Sequence, residues 1–294
     1  MYKISTELAP LAKRIGEAEG IRMLAAAGFE CYDFSMTAMA PVNWKEKRVE
    51  QGEHPLQGDG WREFCEGLRR TADECGIECN QSHAPFPSGA EGMYPYIERS
   101  IEATAIVGGK VCVIHPDNNK SAEENAELYR SLLPTAHKCG VKIATENMWN
   151  WDYEKKEALP AACSHHNDFL AHIEAVNDPY LVACVDIGHA EMRGLDTDSY
   201  TMIKTLGRHV AALHLHDNDL WHDNHAIPFT MQIDFDRVAL ALAEIGYEGE
   251  MTLEPDRCFE GVAPEDTRAT VDRLAEAARR IGEMTDAYKA KLGK

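Results

Sequence analysis

The feature of this sequence that most restricts its fold is a regular alternation of short apolar runs with helical stretches. Apolar and β-branched runs bounded by turn residues predict eight strands, at 2–5, 29–35, 77–83, 111–115, 141–146, 181–186, 210–216 and 250–254. Apolar residues at three- and four-residue steps predict the helices, at 16–27, 61–75, 95–107, 122–139, 167–176, 200–207, 235–245 and 264–291. Glycine follows several of these helices just before the next strand, as expected where a left-handed helix end turns the chain into a sheet.

Eight strand–helix units without a linker favour one α/β domain, a single (β/α)8 TIM barrel over residues 1–294. The length suits this fold, because such barrels commonly need about 250 residues. No glycine-rich phosphate loop opens the first helix, which argues against a dinucleotide-binding fold. The polar stretch 41–60 follows the second strand and is longer than an ordinary connection. We expect it to be a loop insertion at the C-terminal face of the barrel, either part of a lid or a surface insertion.

Composition and charge exclude several classes of protein. The chain is 44% apolar and 27% charged, which is ordinary for a globular protein. It has 30 Lys and Arg against 49 Asp and Glu, and the net charge of −19 repels nucleic acids and anionic lipids. No apolar run approaches the roughly 20 residues of a membrane span, and the first residues lack a signal-peptide core. The nine cysteines form no CxxC pair, so we expect reduced thiols in a soluble cytoplasmic protein.

Six of the predicted strands end in a residue of a type that binds metal ions. These residues are His83, His115, Glu146, Asp186, His216 and Glu254. One such residue alone is more often a helix cap or a loop hydrogen-bonding group. In a barrel, however, the C-terminal strand ends converge around one axis, so the six residues are expected to meet in one pocket.

Three carboxylates in that pocket, Glu146, Asp186 and Glu254, would repel one another and would be costly to bury without a neutralising charge. A divalent cation resolves this conflict. Two or three carboxylates and one imidazole suit Mn²⁺, Mg²⁺, Co²⁺ or Zn²⁺, and the residue types do not choose among these metals. The sequence therefore predicts one divalent metal ion at the barrel mouth.

Two local patterns add polar residues to this pocket. His189 follows Asp186 by about one helical turn and can reach the same pocket. Strand alternation sends His214 and His216 to the same side, with His216 nearer the mouth. Asp219 either holds the His216 ring as a hydrogen-bond acceptor or caps a helix or loop.

Aromatic and cationic residues follow two of the strand ends. Trp149 and Trp151 come just after the fifth strand and either pack against the protein or stack on a sugar ring. Arg257 follows the last strand and pairs either with its neighbour Asp256 or with a substrate phosphate, and we favour the pair with Asp256. Specificity is expected to reside in the loops 41–60 and 220–232.

At these residues the chain resembles the xylose-isomerase-like barrel superfamily. Within it, the chain is most similar to the sugar phosphate isomerase/epimerase group, which includes ketose 3-epimerases, inosose dehydratases and hydroxypyruvate isomerases. The resemblance covers most of the chain. It is carried together by HP at 115–116, TEN at 145–147, VDIGHA at 185–190, HLHDND at 214–219, IDF at 233–235 and LEP at 253–255.

The resemblance implies a metal-dependent isomerase or epimerase of a sugar or sugar phosphate, which moves a proton next to a carbonyl through an enediolate. It places the single metal ion on Glu146, Asp186, His216 and Glu254. Glu146 and Glu254 would also act as base and conjugate acid on opposite faces of the substrate. The expected substrate-binding residues are His83, His115, Trp149, His189, His225 and Arg257. The expected partner is a small carbohydrate, with a homo-oligomer left open.

Three other functions remain open. Ketose epimerases carry an arginine shortly after the acidic residue of strand seven, but Leu220, Trp221 and His222 follow Asp219 here, so an inosose-type dehydratase is the nearest alternative. The apurinic endonuclease with a three-zinc site shares the barrel, although the net charge of −19 argues against DNA. Its ligand types can be matched here at His83, His115, Glu146, Asp186, His189, His216, Asp223, His225 and Glu254. A non-catalytic sugar-binding barrel would not need two metal-linked glutamates.

Overall fold

The computed structural model describes residues 1–294 and arranges eight parallel strands as a closed barrel. The strands are β1 (Ile4–Thr6), β2 (Cys31–Ser35), β3 (Glu78–His83), β4 (Val111–Val113), β5 (Lys142–Glu146), β6 (Leu181–Asp186), β7 (Val210–His214) and β8 (Met251–Leu253). Strands β2 to β7 form one sheet in chain order, and β1 pairs with β8. Single bridges, Glu7 to Asp33 and Leu215 to Leu253, complete the circle. The predicted (β/α)8 barrel is confirmed.

Ten α-helices connect the strands and form the outer layer. They are α1 (Ala9–Ile15), α2 (Glu17–Ala26), α3 (Trp61–Cys75), α4 (Tyr94–Val107), α5 (Ala122–Cys139), α6 (His166–Val176), α7 (Ile187–Glu191), α8 (Ser199–Leu206), α9 (Phe235–Ile245) and α10 (Thr267–Leu292). Short 3-10 helices lie at Thr37–Met39, Gly207–His209 and Pro264–Asp266. Gly76 and Gly140 end α3 and α5 with φ of 70° and 66°, as the glycine pattern predicts. None of these helices combines the length and apolar character needed to cross a bilayer.

The predicted and observed strands differ mainly at their ends. Strands β4, β7 and β8 stop before His115, His216 and Glu254, which were predicted as their last residues. Isolated backbone bonds continue the ladder beyond β7 and β8: the N–H of Leu215 donates to Thr252 O at 2.9 Å, and that of Glu254 donates to Leu215 O at 3.1 Å. Glu254 is therefore still fixed by the barrel although it lies just past the regular strand.

Two β-hairpins follow barrel strands. The first hairpin pairs Val42–Asn43 with Arg48–Val49 and lies within the predicted insertion 41–60. The second hairpin pairs Trp149–Asp152 with Glu157–Pro160, follows β5, and was not predicted. Helices α1 and α7 were also not predicted.

The strands are packed on both sides, which fixes the base of the site. Every residue of β6 is buried, including Asp186 at its end. Parallel strands in a barrel have this pattern because helices cover the outer face and strand side chains fill the interior. Phe34, Tyr129 and Phe169 are among the largest fully buried side chains. The polar strand ends therefore emerge from a densely packed support.

Candidate active site

The C-terminal strand ends surround a cavity of about 850 Å³. This volume lies within the usual range of small-molecule sites, about 300–1,000 Å³. Most of the predicted site residues line it, namely His83, His115, Glu146, Trp149, His189, His225, Glu254 and Arg257. Asp186 and His216 are fully buried and lie outside that lining.

Three of the predicted metal ligands, Glu146, Asp186 and Glu254, lie together with His214 in what we call the central group. One oxygen or nitrogen atom from each of the four residues lies within 4.8 Å of those from the others. His216, the imidazole predicted from the sequence, is not part of this group. Its Nε2 atom is nevertheless 3.1 Å from Asp186 Oδ1, so His216 adjoins the group through that carboxylate.

His214 lies among acidic groups that contact both of its ring nitrogens. Its Nδ1 atom is 3.2 Å from Glu146 Oε1 and 3.4 Å from Glu254 Oε1. Its Nε2 atom is 3.3 Å from Asp33 Oδ2, which also accepts a hydrogen bond of 2.8 Å from Gln81. Asp33 was not predicted as a site residue. Its position in the middle of the strand CYDFS, where it is fully buried, is a signal that could have identified it.

The first flanking group consists of His83, His115 and Glu146. The Nε2 atoms of the two histidines are 2.7 Å apart, and His115 Nε2 is 3.1 Å from Glu146 Oε2. A contact between two ring nitrogens requires one of them to be unprotonated. Burial and the neighbouring His115 hold the pKa of His83 well below its usual value, which satisfies that requirement.

The second flanking group consists of His189, His216, Asp223 and His225. Asp223 Oδ2 is 2.9 Å from His225 Nε2 and 3.4 Å from His189 Nε2. His216 Nδ1 and Asp223 Oδ1 are buried and have no hydrogen-bond partner. Gly188 makes room for this group, because a Cβ atom at that position would overlap the His216 ring.

The pKa values of the two glutamates in the central group are shifted in opposite directions. Burial raises the pKa of Glu254 well above its usual value, and repulsion from Glu146 and Asp186 adds to the effect of burial. Burial also acts to raise the pKa of Glu146, but attraction from His214 and His115 outweighs it and holds this pKa well below the usual value. Without a metal ion, Glu146 therefore releases its proton more readily than Glu254.

The imidazole of His189 is held in its charged form. Burial alone would lower the pKa of His189, but attraction from Asp186 and Asp223 outweighs it and raises the pKa to about 10. Burial likewise acts against ionisation of Asp186, but His189 and His216 lower its pKa to about 2. His189 Nδ1 also donates a 2.8 Å hydrogen bond to the carbonyl of Asn147, which fixes the orientation of the ring.

The profile of the family described as "Xylose isomerase-like TIM barrel" matches residues 21–281 of this chain. The chain belongs to this family. The match spans all but the first and last parts of the barrel, and it confirms the resemblance carried by the strand-end motifs.

Relatives and solved structures agree with this assignment. An uncharacterised protein of Methanocaldococcus jannaschii is 26% identical over 225 residues, which is 67% of this chain and 74% of that protein. The crystal structure of a D-tagatose 3-epimerase-like protein is similar, with a TM-score of 0.72 and 19% identity over 99% of both chains. The structure of an L-ribulose 3-epimerase has a TM-score of 0.72 and 16% identity, and covers 100% of this chain and 97% of its own. At these identities the structural likeness establishes the shared fold.

The barrel also brings to the cavity two acidic residues that were not predicted as site residues. Glu7 directly follows β1, and Asp256 lies two residues beyond Glu254. Glu7 is only 6% exposed, and its Oε2 atom has no hydrogen-bond partner. Burial and repulsion from Asp256 raise the pKa of Glu7 well above its usual value. The signal for Glu7 was its place at a strand end, the position shared by the predicted ligands.

The residues predicted around the site divide between the cavity and its outer loops. Trp149 lines the cavity, whereas the ring of Trp151 packs against His222 at 5.7 Å. Asp219 accepts hydrogen bonds from the backbone N–H of His222 at 2.7 Å and from its ring at 2.9 Å. Asp219 therefore has the loop role that the sequence left open, and no hydrogen bond joins it to His216.

The cavity is lined by four cationic side chains as well as by acidic ones. Its lining includes Lys13, Lys47, Lys120 and Arg257. Of these, only Lys120 has an acidic partner within 4.0 Å, at 3.8 Å from Asp117. The favoured pair between Arg257 and Asp256 is not formed, so that expectation is wrong. The guanidinium group of Arg257 is unpaired at the cavity edge.

Proposed function

We propose that this protein is a metal-dependent isomerase or epimerase that transfers a proton next to the carbonyl of a sugar or sugar phosphate. The observation that carries this proposal is the pair Glu146 and Glu254, which both face the cavity within 4.8 Å of each other. Two carboxylates facing one cavity can act as proton acceptor and proton donor to the same substrate. By their names, one protein with the same fold is an L-ribulose 3-epimerase and another is similar to a D-tagatose 3-epimerase.

The donor atoms at the cavity floor fit a divalent cation. Glu146, Asp186 and Glu254 are buried so close together that full ionisation requires a positive charge among them. His216 places its Nε2 atom 3.1 Å from Asp186 Oδ1 and adds a nitrogen ligand next to that carboxylate. Carboxylates with an imidazole suit Mn²⁺, Mg²⁺, Co²⁺ or Zn²⁺. We expect the three carboxylates and His216 to hold the ion, with His214 held by Asp33.

A bound cation would polarise the substrate carbonyl and stabilise negative charge on its oxygen. Glu146 removes the proton from the carbon next to the carbonyl, and the electron pair of that C–H bond forms the double bond of an enediolate. Glu254 returns its proton to the opposite face of the same carbon in an epimerisation, or to the neighbouring carbon in an isomerisation. His189, which is charged at neutral pH, donates a hydrogen bond to a substrate oxygen.

Exchange with solvent deuterium tests this proposal. Protein loaded with Mn²⁺ is incubated in D₂O with D-fructose, D-tagatose, D-ribulose and D-xylulose 5-phosphate, and the products are followed by NMR. We expect deuterium at the carbon beside the carbonyl of at least one sugar. Glu146→Gln and Glu254→Gln should each lower turnover about 10²- to 10⁴-fold while circular dichroism shows a folded protein. The exposed Glu154→Gln is the matched control. Full activity in both site variants, or no conversion of any sugar, contradicts the proposal.

Adding an inosose to the same incubation addresses a dehydratase acting on an inosose-like substrate. Such an enzyme begins with the same proton removal but then expels a hydroxyl group instead of returning the proton. Its product is lighter by one water molecule, which mass spectrometry detects directly. An epimer that has lost no water, and is heavier only by the deuterium it has gained, supports the isomerase or epimerase.

The two flanking groups favour a second candidate function, hydrolysis of a phosphodiester at a centre of several metal ions. Both adjoin the central group, the first by sharing Glu146 and the second through the contact between His216 and Asp186. Enzymes with adjacent metal ions use them to stabilise the attacking and leaving oxygens of a phosphate ester. After loading with Zn²⁺, about one ion per chain supports the isomerase. About three ions, with hydrolysis of bis(p-nitrophenyl) phosphate, support the phosphodiesterase.

A further inference from the structure

A wall of aromatic rings extends from the floor of the cavity towards solvent. The ring centroids of His115 and Phe86 are 4.8 Å apart, and those of Phe86 and Trp44 are 6.4 Å apart. All three residues line the cavity. His115 is buried, Phe86 is 37% exposed and Trp44 is 65% exposed. The wall therefore continues outwards from the first flanking group.

This wall reaches beyond a single sugar ring bound at the central group. A ring whose carbonyl lies beside Glu146 is near His115, which contacts that glutamate at 3.1 Å. Trp44 lies further out, on the first hairpin, and the Phe86 ring separates it from His115. The cavity volume of about 850 Å³ is also towards the upper end of the range for small-molecule sites. The outer part of the cavity is thus left open by a monosaccharide.

Hydrogen bonds join the first hairpin to the segment before α4, so the backbone that carries Trp44 is fixed. The N–H of Val49 donates to Glu91 O at 2.9 Å, and the N–H of Glu91 donates to Lys47 O at 2.8 Å. The N–H of Glu50 donates to Pro41 O at 2.8 Å and closes the base of the hairpin. A large aromatic side chain on a fixed support can bind a ligand ring at little entropic cost.

We propose, on the basis of the proposed function, that the outer part of the cavity is a second sugar-binding subsite. The site then also accepts a glycoside or disaccharide, whose second ring stacks on Trp44 and Phe86. The C–H groups on one face of a pyranose carry partial positive charge, which complements the negative face of an aromatic ring. Asn119 lines the same cavity and offers its amide NH₂ group to the ring hydroxyls. This mixture of aromatic and amide groups suits a sugar better than an apolar ligand.

Binding of paired monosaccharides and disaccharides tests the subsite. Mn²⁺-loaded protein is titrated with D-glucose and methyl β-D-glucoside, and then with cellobiose, maltose and gentiobiose, by isothermal titration calorimetry. We expect at least one disaccharide to bind about tenfold more tightly than either monosaccharide. Trp44→Ala should remove this preference without changing monosaccharide affinity. Tyr153→Ala is the matched control, because Tyr153 is an exposed aromatic residue on the second hairpin outside the cavity lining.

The outcomes separate this inference from the proposed function. Equal affinity for monosaccharides and disaccharides, or a preference that survives in Trp44→Ala, overturns the subsite while leaving the isomerase or epimerase intact. Binding of none of these sugars overturns the subsite alone, whereas failure of every ketose to exchange deuterium overturns the isomerase or epimerase and the subsite with it. Loss of the preference in Trp44→Ala together with its retention in Tyr153→Ala supports the subsite.

Discussion

The charge balance beneath the candidate active site depends on His214, and replacing this residue tests that role. His214→Gln keeps a polar side chain but removes the imidazole from between Asp33, Glu146 and Glu254. Removing one partner of a buried charge pair costs about 3–5 kcal/mol, because the remaining charges stay buried without compensation. Since acidic groups contact both ring nitrogens, we expect about 4 kcal/mol. At about 2–4 °C per kcal/mol, Tm falls by about 10 °C.

The effect of this substitution depends on pH in a defined direction. Burial acts to lower the pKa of His214, but attraction from Glu146 and the hydrogen bond with Asp33 outweigh it and raise the pKa well above its usual value. Stabilisation from a raised pKa is complete below the unfolded value of about 6.5 and is lost as pH rises through the folded value. The variant should therefore lose more stability relative to wild type at pH 6 than at pH 10.

Thermal unfolding of the metal-free protein, followed by circular dichroism at pH 6 and pH 10, measures both effects. The control is His137→Gln, because His137 contacts Asp178 at 3.1 Å on the surface. Surface ion pairs contribute about 0–1 kcal/mol, so this control should unfold close to wild type. If His214→Gln is as stable as the control at both pH values, His214 does not balance the buried acidic groups.

Three further predictions concern the metal site and its support. His216→Asn should weaken Mn²⁺ binding about a hundredfold, as measured by calorimetry. The loss should be larger than in His214→Gln, and the reverse order would make His214 the ligand. Gly188→Ala should lower the free energy of unfolding in urea by about 1–3 kcal/mol and weaken Mn²⁺ binding, because the new Cβ overlaps the His216 ring. Wild-type values for both would show that the ring can move freely. Ser121→Ala breaks the capping box of α5 and should cost about 1 kcal/mol in urea unfolding with unchanged Mn²⁺ binding, and an unchanged midpoint would contradict a stabilising cap.

The barrel was predictable because its strands are buried on both faces and therefore appear as continuous apolar runs. The sixth strand was predicted at 181–186 and is observed as Leu181–Asp186. The second hairpin escaped prediction because WNWDYEKKEALP has no apolar run typical of a barrel strand. Its position depends on tertiary contacts, such as the 3.2 Å hydrogen bond from the N–H of Ala158 to Arg193 O.

The residues of the candidate site could be predicted from the sequence, but the contacts that divide them into groups could not. Strand ends converge in any such barrel, so the sequence identified which residues meet. His214 and His216 point to the same side of β7, and which of them approaches Glu146 depends on how the neighbouring strands are staggered. Asp33 was missed because it lies within a strand, and Glu7 because it follows a strand of only three residues.

Glu146 divides its two carboxylate oxygens between neighbouring groups, with Oε1 facing His214 and Oε2 facing His115. Ligand binding on the two sides is therefore thermodynamically linked. A cation held near His115 would withdraw electron density from the oxygen that faces the central group, and would change the affinity there by a definite factor. Linkage is reciprocal, so occupancy of the central group changes affinity near His115 by the same factor. The same linkage holds for a substrate group on the His115 side, so Mn²⁺ titrations of the central group should give different affinities with and without a bound sugar.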